Sequence, residues 1–390
     1  MLKTNKTRRN FLQQTGVWAA GAAGAAAAGS LGLPNFAHAA RDKELNIYCW
    51  EGYNSDDVLD PFRREFKANV KAEGLTSDPD AVNRLRAGET KVWDLINLNN
   101  PWAREMMWPE GLIKELPRDR FEPMFSKMMP AFHPPYEWAM DKSGEHLLGM
   151  TQRFGPFSFV VNTDKISRKM GEDQGFKLFL DPKMKGRYGV LTYDNWNIYH
   201  MCIAADVHPF KKHNKAEMDA YTKVAKQIFN GAKLLTDDLV AMNLALINGE
   251  IDAYFTGGTY TASPARFDGA KQVRGITPNS GPMDGKGGIV WIELTSVVNN
   301  PNPSPLADEF LAYVQRADVS KKVAFAEGTY NPVTQMGSKD VLALFDKEEL
   351  DAIQWDSLEQ EMANSVDYDI NPDYDAMYEI YSAAKREREG

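Results

Sequence analysis

After residue 40 the chain alternates short apolar runs with longer segments of helical periodicity, and no other feature narrows its fold so far. Leu45-Asn46-Ile47-Tyr48-Cys49-Trp50 reads as a strand. Ser55-Asp56-Asp57 then signals a helix start, and Val58, Leu59, Phe62 and Phe66 recur at helical spacing. Further strands are expected at Val92-Trp93-Asp94-Leu95-Ile96, Phe157-Ser158-Phe159-Val160-Val161, Tyr188-Gly189-Val190-Leu191 and Ala253-Tyr254-Phe255. Helices are expected over 215–230, 237–248 and 304–326. This alternation implies α/β sheets with helices on both faces. The 390 residues suffice for two or three folding units at roughly 100–200 residues each. No repeat, low-complexity run or Ser/Gly linker separates them. Two lobes without a soft linker must be joined by short crossing strands, the layout of a hinged clamp.

Residues 1–39 read as an address label. Thr7-Arg8-Arg9-Asn10-Phe11-Leu12-Gln13 looks like a twin-arginine export signal. It leads into a mild Ala/Gly stretch from Gly16 to Leu33 that ends at Ala37-His38-Ala39, where small residues suit cleavage before Ala40. Glycines and Pro34 make a spanning helix a poor alternative, so the mature chain is expected in the periplasm. Acids outnumber bases by 54 to 45, and residues 1–39 hold Lys3, Lys6, Arg8 and Arg9 but no acid. So acidic a chain has no general attraction for nucleic acid or anionic lipid, and its field favours cationic partners.

Two cysteines, Cys49 and Cys202, are too few for a disulfide scaffold, a four-cysteine zinc site or an iron–sulfur cluster. The compartment permits a bond between them, but sequence cannot say whether they meet. Enzyme signatures are absent: no Gly-x-Ser-x-Gly elbow, Walker loop or His-Glu-x-x-His helix occurs. Gly285-Lys286-Gly287-Gly288 precedes a strand instead of opening a helix, so it makes a poor phosphate cradle. His208 and His213 fit a solvated Lys-rich loop, and His200 a packed position on a helix. No catalytic residue, metal site or cofactor is expected.

Aromatic residues recur at predicted strand ends beside acids and glycines. Trp50-Glu51-Gly52-Tyr53 follows the first strand, and the second runs into Asn99-Asn100-Pro101-Trp102. Tyr193-Asp194-Asn195-Trp196-Asn197 follows Val190-Leu191, Phe255-Thr256-Gly257-Gly258 ends another strand, and Trp291-Ile292-Glu293 lies after Gly287-Gly288. In α/β sheets the carboxyl ends of strands face the ligand crevice. Converging there, these segments would form an aromatic cage with a few carboxylates. Such a cage suits a small organic cation, at about 0.5–2 kcal/mol per good ring contact. The competing reading is that most of these rings fill the core, as assigned to Trp93, Trp108 and Trp138.

Ordered blocks over roughly residues 44–387 make the chain resemble the periplasmic solute-binding proteins of ABC importers, nearest to the spermidine/putrescine-binding branch. They are Ile47 through Tyr53, Trp93-Asp94-Leu95-Ile96 with Asn99, Leu180 through Arg187, Asn248 through Ala253, Gly287 through Glu293, and Ala324 through Pro332. The resemblance implies the two-lobed type II periplasmic-binding-protein fold, with a cleft between lobes joined by crossing strands. It implies lobe 1 from 40–152 plus 292–340, and lobe 2 from 153–291 plus 341–390. Trp50 and Tyr53 match the branch's cleft aromatics, Asp194 an acid that contacts an amine, Trp291 and Glu293 a Trp-x-Asp pair, and Tyr330 a cleft tyrosine. Phe255 replaces a tryptophan and Asn99 a serine. Asn197 stands for a glutamate, Glu51 for a threonine, and Trp102 lies beside Pro101 where a tyrosine is usual. The implied function is capture of a polyamine by a monomeric binding protein that docks onto an inner-membrane permease. A different amine, or an amino-acid-like or betaine-like solute, is the alternative those departures leave open. An exported enzyme on a two-lobed scaffold is the alternative class, and a sensory receptor needs the same features as a transporter.

Overall fold

The computed structural model describes residues 41–134, 137–325 and 328–389, so the expected export signal lies outside the described residues. The elements begin with strand β1 (Glu44–Cys49), helix α1 (Asp56–Phe66), β2 (Asn69–Gly74), α2 (Asp78–Arg86) and β3 (Leu95–Asn99). The long strand β4 (Met150–Asn162) follows, then β5 (Tyr188–Leu191), α3 (Asp194–Ala204), α4 (Lys215–Gly231), β6 (Leu234–Thr236) and α5 (Leu239–Ile247). After β7 (Ala253–Gly258), α6 (Thr259–Phe267) and β8 (Val273–Ile276) comes a second long strand, β9 (Gly288–Val297). Helices α7 (Leu306–Val314) and α8 (Ala317–Ala324), strand β10 (Ser365–Asp367) and helix α9 (Tyr374–Glu389) follow, with further helices at Arg118–Phe125 and Arg168–Gln174 and shorter helical turns between.

One ten-stranded sheet runs through all of it in the order β2-β1-β3-β9-β4-β7-β5-β6, with β10 on β9 and β8 on β4. The parallel pairs β1–β2, β1–β3, β5–β6 and β5–β7 are joined by crossovers. At the centre β4 and β9 run antiparallel and are buried along their whole length. One core gathers Leu45, Ile47, Phe62, Leu95, Phe154 and Leu294, and a second gathers Phe159, Tyr188, Ile198, Phe229, Phe255 and Ile289. Since β4 and β9 contribute to both, the two strands are the crossing connections of a two-lobed fold.

The expected elements are recovered with instructive shifts. Tyr188–Leu191 forms a strand over the expected residues. The strand expected at 92–96 starts at Leu95, because Trp93 and Asp94 are used as a bracket. Asp94 accepts from the backbone N–H groups of Asn46 (2.9 Å) and Ser304 (3.0 Å), and the Trp93 indole donates to Glu89 (2.9 Å). The helix expected over 304–326 is broken at Arg316, whose backbone is extended and whose guanidinium pairs with Glu65 at 2.7 Å. The strand expected at 157–161 begins seven residues earlier, at Met150. Gln152-Arg153 and Gly155-Pro156 break its apolar pattern, and a bulge accommodates them.

Residues 341–361 touch both lobes. Val341, Phe345, Ile353 and Leu358 join the first core, while Asp351 pairs with Arg266, and Gln354 bonds to the backbone of Gly275. Helix α9 packs on the second core through Met377 and Tyr381. His213, expected in solvent, is buried, with one ring nitrogen 2.9 Å from Asp373 and the other 2.9 Å from the His208 carbonyl oxygen. Cys49 belongs to the first core and Cys202 to the second, and they are not bonded to each other.

Candidate functional site

The site is built where β4 crosses β9. Thr151 pairs with Leu294 and Phe154 with Ile292, so Gln152 and Arg153 together stand opposite Glu293. This bulge turns the Arg153 side chain onto Glu293: Nε and Nη2 donate to the two carboxylate oxygens at 2.9 and 2.8 Å. Arg153 is 1% exposed and Glu293 5%. The guanidinium lies 4.9 Å from the centre of the Tyr53 ring, and the Arg153 backbone N–H donates to the Tyr53 hydroxyl at 3.4 Å. Burial pushes the Glu293 carboxyl up, with Arg153 opposing; burial works against the Arg153 charge too, but the Glu293 carboxylate outweighs it and holds Arg153 firmly cationic.

Above this pair lies the turn after β1, which Gly52 makes possible at φ 99°. Glu51 accepts from the Tyr260 hydroxyl at 2.8 Å, a bond that joins the first lobe to the start of α6 in the second. Tyr260 meets Trp291 edge to face at 6.4 Å. The negative charge of Glu51 reaches Tyr193 and Tyr260, raising both hydroxyls further than burial alone. Trp50 donates to Asp78 at 3.1 Å, and the Asn99 side chain donates to the same carboxylate at 2.7 Å. Burial lifts Asp78 to about 6, the donors from Asn99 and Trp50 pulling the other way.

A second aromatic group flanks the first. Phe157 packs on Trp196 at 4.8 Å, Trp196 on Tyr368 at 5.1 Å, and Trp102 donates from its indole to the Tyr368 hydroxyl at 3.2 Å. Trp50, Glu51, Trp102, Tyr193, Asp194, Trp196 and Tyr260 are each only half-buried, so a row of ring faces and carboxylates from both lobes stays partly open to solvent.

Of the residues singled out in sequence, Tyr53 and Glu293 touch Arg153, Asn99 stands opposite Glu293 and shares Asp78 with Trp50, Glu51 and Trp291 both meet Tyr260, and Trp102 joins the flanking rings. Asp194 turns its carboxylate away, accepting from Tyr381 at 2.7 Å with Lys385 at 4.0 Å. Tyr330 packs between Phe267 and Phe325, its ring centre 4.7 and 4.8 Å from theirs.

Two expectations are corrected. Phe255 is fully buried, edge to face with Phe176 and Phe179, because the pleat of β7 turns it into the second core. Asn197 is also fully buried and ties Leu191, Tyr381 and Thr256 together, leaving nothing to offer a solute. Thr256 is the extra residue of a bulge, in left-handed conformation at φ 68°. That strain, on the order of 1–3 kcal/mol, is offset by bonds to Asn197 (2.5 Å) and His200 (2.9 Å).

Sequence reasoning missed Arg153, Asp78, Tyr260 and Tyr368. Arg153 left one signal: a lone cation in a stretch of uncharged residues leading into an apolar strand demands an acid if it is buried. Among the described residues no group of three His, Cys, Asp or Glu side chains could hold a metal ion, and no helix is long and apolar enough to cross a membrane.

The fold and its crossing strands are those of the two-lobed type II periplasmic-binding-protein fold. No protein-family profile matches the chain. It resembles the spermidine/putrescine-binding branch: it is 23% identical over 311 residues to the spermidine/putrescine-binding periplasmic protein of Escherichia coli, covering 78% of this chain and 82% of that one. The protein of the same name from Salmonella typhimurium is 21% identical over 309 residues, with the same coverage. Among solved structures, a putative spermidine/putrescine ABC transporter protein of Listeria monocytogenes superposes with a TM-score of 0.65 at 15% identity, covering 88% of this chain and 99% of that one. The Streptococcus pneumoniae spermidine/putrescine substrate-binding protein gives 0.63 at 13%, covering 89% and 99%. MotA of Agrobacterium tumefaciens, solved with glucopine, gives 0.60 at 14%, covering 88% and 99%.

Proposed function

We propose that the chain is the substrate-binding component of an ABC importer, exported to the periplasm, which captures a small organic amine and passes it to an inner-membrane permease without altering it chemically. The observation that carries this reading is the convergence of half-buried rings from both lobes, together with the Glu51 carboxylate, near the β4–β9 crossing. Each lobe offers half a site, and a solute that touches both shifts the population towards closure. The names of the sequence relatives favour a polyamine as the amine. Arg153, a cation within the site, favours an amino-acid-like solute instead, and structural neighbours of the same fold take different ligands, so the fold does not choose. The test is a thermal-shift screen of polyamines, amino acids, betaines and sulfonates. A solute at 100 times its Kd stabilises the folded state by about 2.7 kcal/mol, which raises the unfolding temperature. A screen in which no amine raises it, or a solute recovered chemically changed after incubation, refutes the proposal.

A further inference from the structure

The acids of the site are not equally available. Glu293 is already paired with Arg153, and Lys385 stands 4.0 Å from Asp194. Glu51 differs: among the described residues no Lys, Arg or His nitrogen lies within 4 Å of it, and its hydrogen-bond partner is the neutral Tyr260 hydroxyl. Asp78 also lacks a cation, but it is buried and already holds donors from Trp50 and Asn99, so Glu51 is the uncompensated carboxylate that stays partly open to solvent, whereas a diamine asks for two negative poles.

Arg153 supplies the complementary excess. Its Nε and Nη2 are spent on Glu293, but Nη1 is sealed from solvent and has no acceptor in the protein. A buried donor left unpaired costs about 1–3 kcal/mol, and more when it carries charge. Arg153 lies 4.9 Å from the ring of Tyr53, two residues along the same turn from Glu51, which sets the orphan donor and the free carboxylate in one neighbourhood.

We infer that the solute is a zwitterion of the amino-acid class, its carboxylate accepting from Arg153 Nη1 while its ammonium donates to Glu51. This rests on the solute-binding reading above and narrows its amine. A carboxylate on Nη1 satisfies the buried guanidinium without disturbing its two bonds to Glu293. A diamine carries no acceptor, so it leaves the buried Nη1 donor unpaired.

Calorimetry on the purified protein decides the matter, using α- and ω-amino acids of two to six carbons against diamines of matching length. The best amino acid is expected to bind at least about tenfold more tightly than its matching diamine, the scale of one charge-assisted bond. Its affinity should change little with salt, as befits a net-neutral ligand. In the neutralised variant Arg153→Met/Glu293→Leu, which leaves no buried charge unpaired, the preference should fall by at least about tenfold. A diamine that binds as tightly as the amino acid, or a variant that keeps the preference, overturns the inference while leaving solute binding intact. A panel in which nothing binds, and nothing shifts the unfolding temperature, overturns both.

Discussion

Replacing Glu293 with Gln keeps its shape and removes its charge, and the consequence can be worked from the crossing strands. In the native chain two N–H···O bonds at 2.9 and 2.8 Å neutralise a guanidinium that is 1% exposed. Glu293→Gln leaves that cation buried with at most one neutral acceptor. Breaking a buried pair from one side costs about 3–5 kcal/mol, whereas replacing both partners by apolar groups of similar size is often neutral or stabilising. The variant should therefore unfold at markedly lower urea concentration, and Arg153→Met/Glu293→Leu should recover most of the loss. Urea titrations followed by tryptophan fluorescence give both values, and the single variants Arg153→Met and Glu293→Leu complete a double-mutant cycle. A cost below about 1 kcal/mol for Glu293→Gln, the range of an exposed pair, would refute the reasoning. So would a double variant as weak as the single one, since the penalty would then not be an unpaired charge. Glu293, which resemblance casts as an amine's anchor, is on this account first a structural partner of Arg153.

The buried acid Asp78 should leave a pH signature. Its folded pKa of about 6 exceeds the ordinary 3.8, so the folded state holds the proton more tightly, and stability falls as pH rises through that window. Two units correspond to about 3 kcal/mol; the stability difference between wild type and Asp78→Asn should swing by that much between pH 4 and 7, and a constant difference sinks the account. His200 acts with opposite sign: burial pushes it down to about 3, so stability is lost as pH falls from about 6.5 towards 3, at up to about 1.4 kcal/mol per unit. His200→Gln should remove that acid-side slope in pH-dependent urea melts, and an unchanged slope would show that the imidazole is not the group resisting protonation. Tyr260→Phe deletes the interlobe bond to Glu51, worth about 1.5–3 kcal/mol to a charged acceptor. Small-angle scattering of the solute-free variant should show a larger radius of gyration, and identical curves would mean the bond does not hold the lobes. Trp291→Ala should weaken solute binding at least about tenfold by calorimetry; unchanged affinity would remove that ring from the site.

Periodicity alone carried the α/β class, because burial writes the strand and helix repeats directly into residue order. Tyr188–Leu191 and α4 are recovered nearly residue for residue, α4 closing on a capping box between Asn214 and Glu217 that is local by nature. Strand β4 shows where local pattern fails. Its first half is irregular in sequence, and the bulge that admits Arg153 exists only because β9 supplies Glu293 on the other side, 140 positions away. The same distance hid where two rings go: Phe255 and Trp291 both sit on strands near glycines, and only the packed structure decides that one lies among Phe176 and Phe179 and the other meets Tyr260.

By itself, then, the order of residues determined the alternating elements, the acidic character and the set of aromatics and carboxylates from which a site could be made. The tertiary structure decided which of those charges are free. Electrostatic pairing depends on distance through space in a medium of low polarity, and Arg153, Lys385 and Tyr260 reach their partners from elements far apart along the chain.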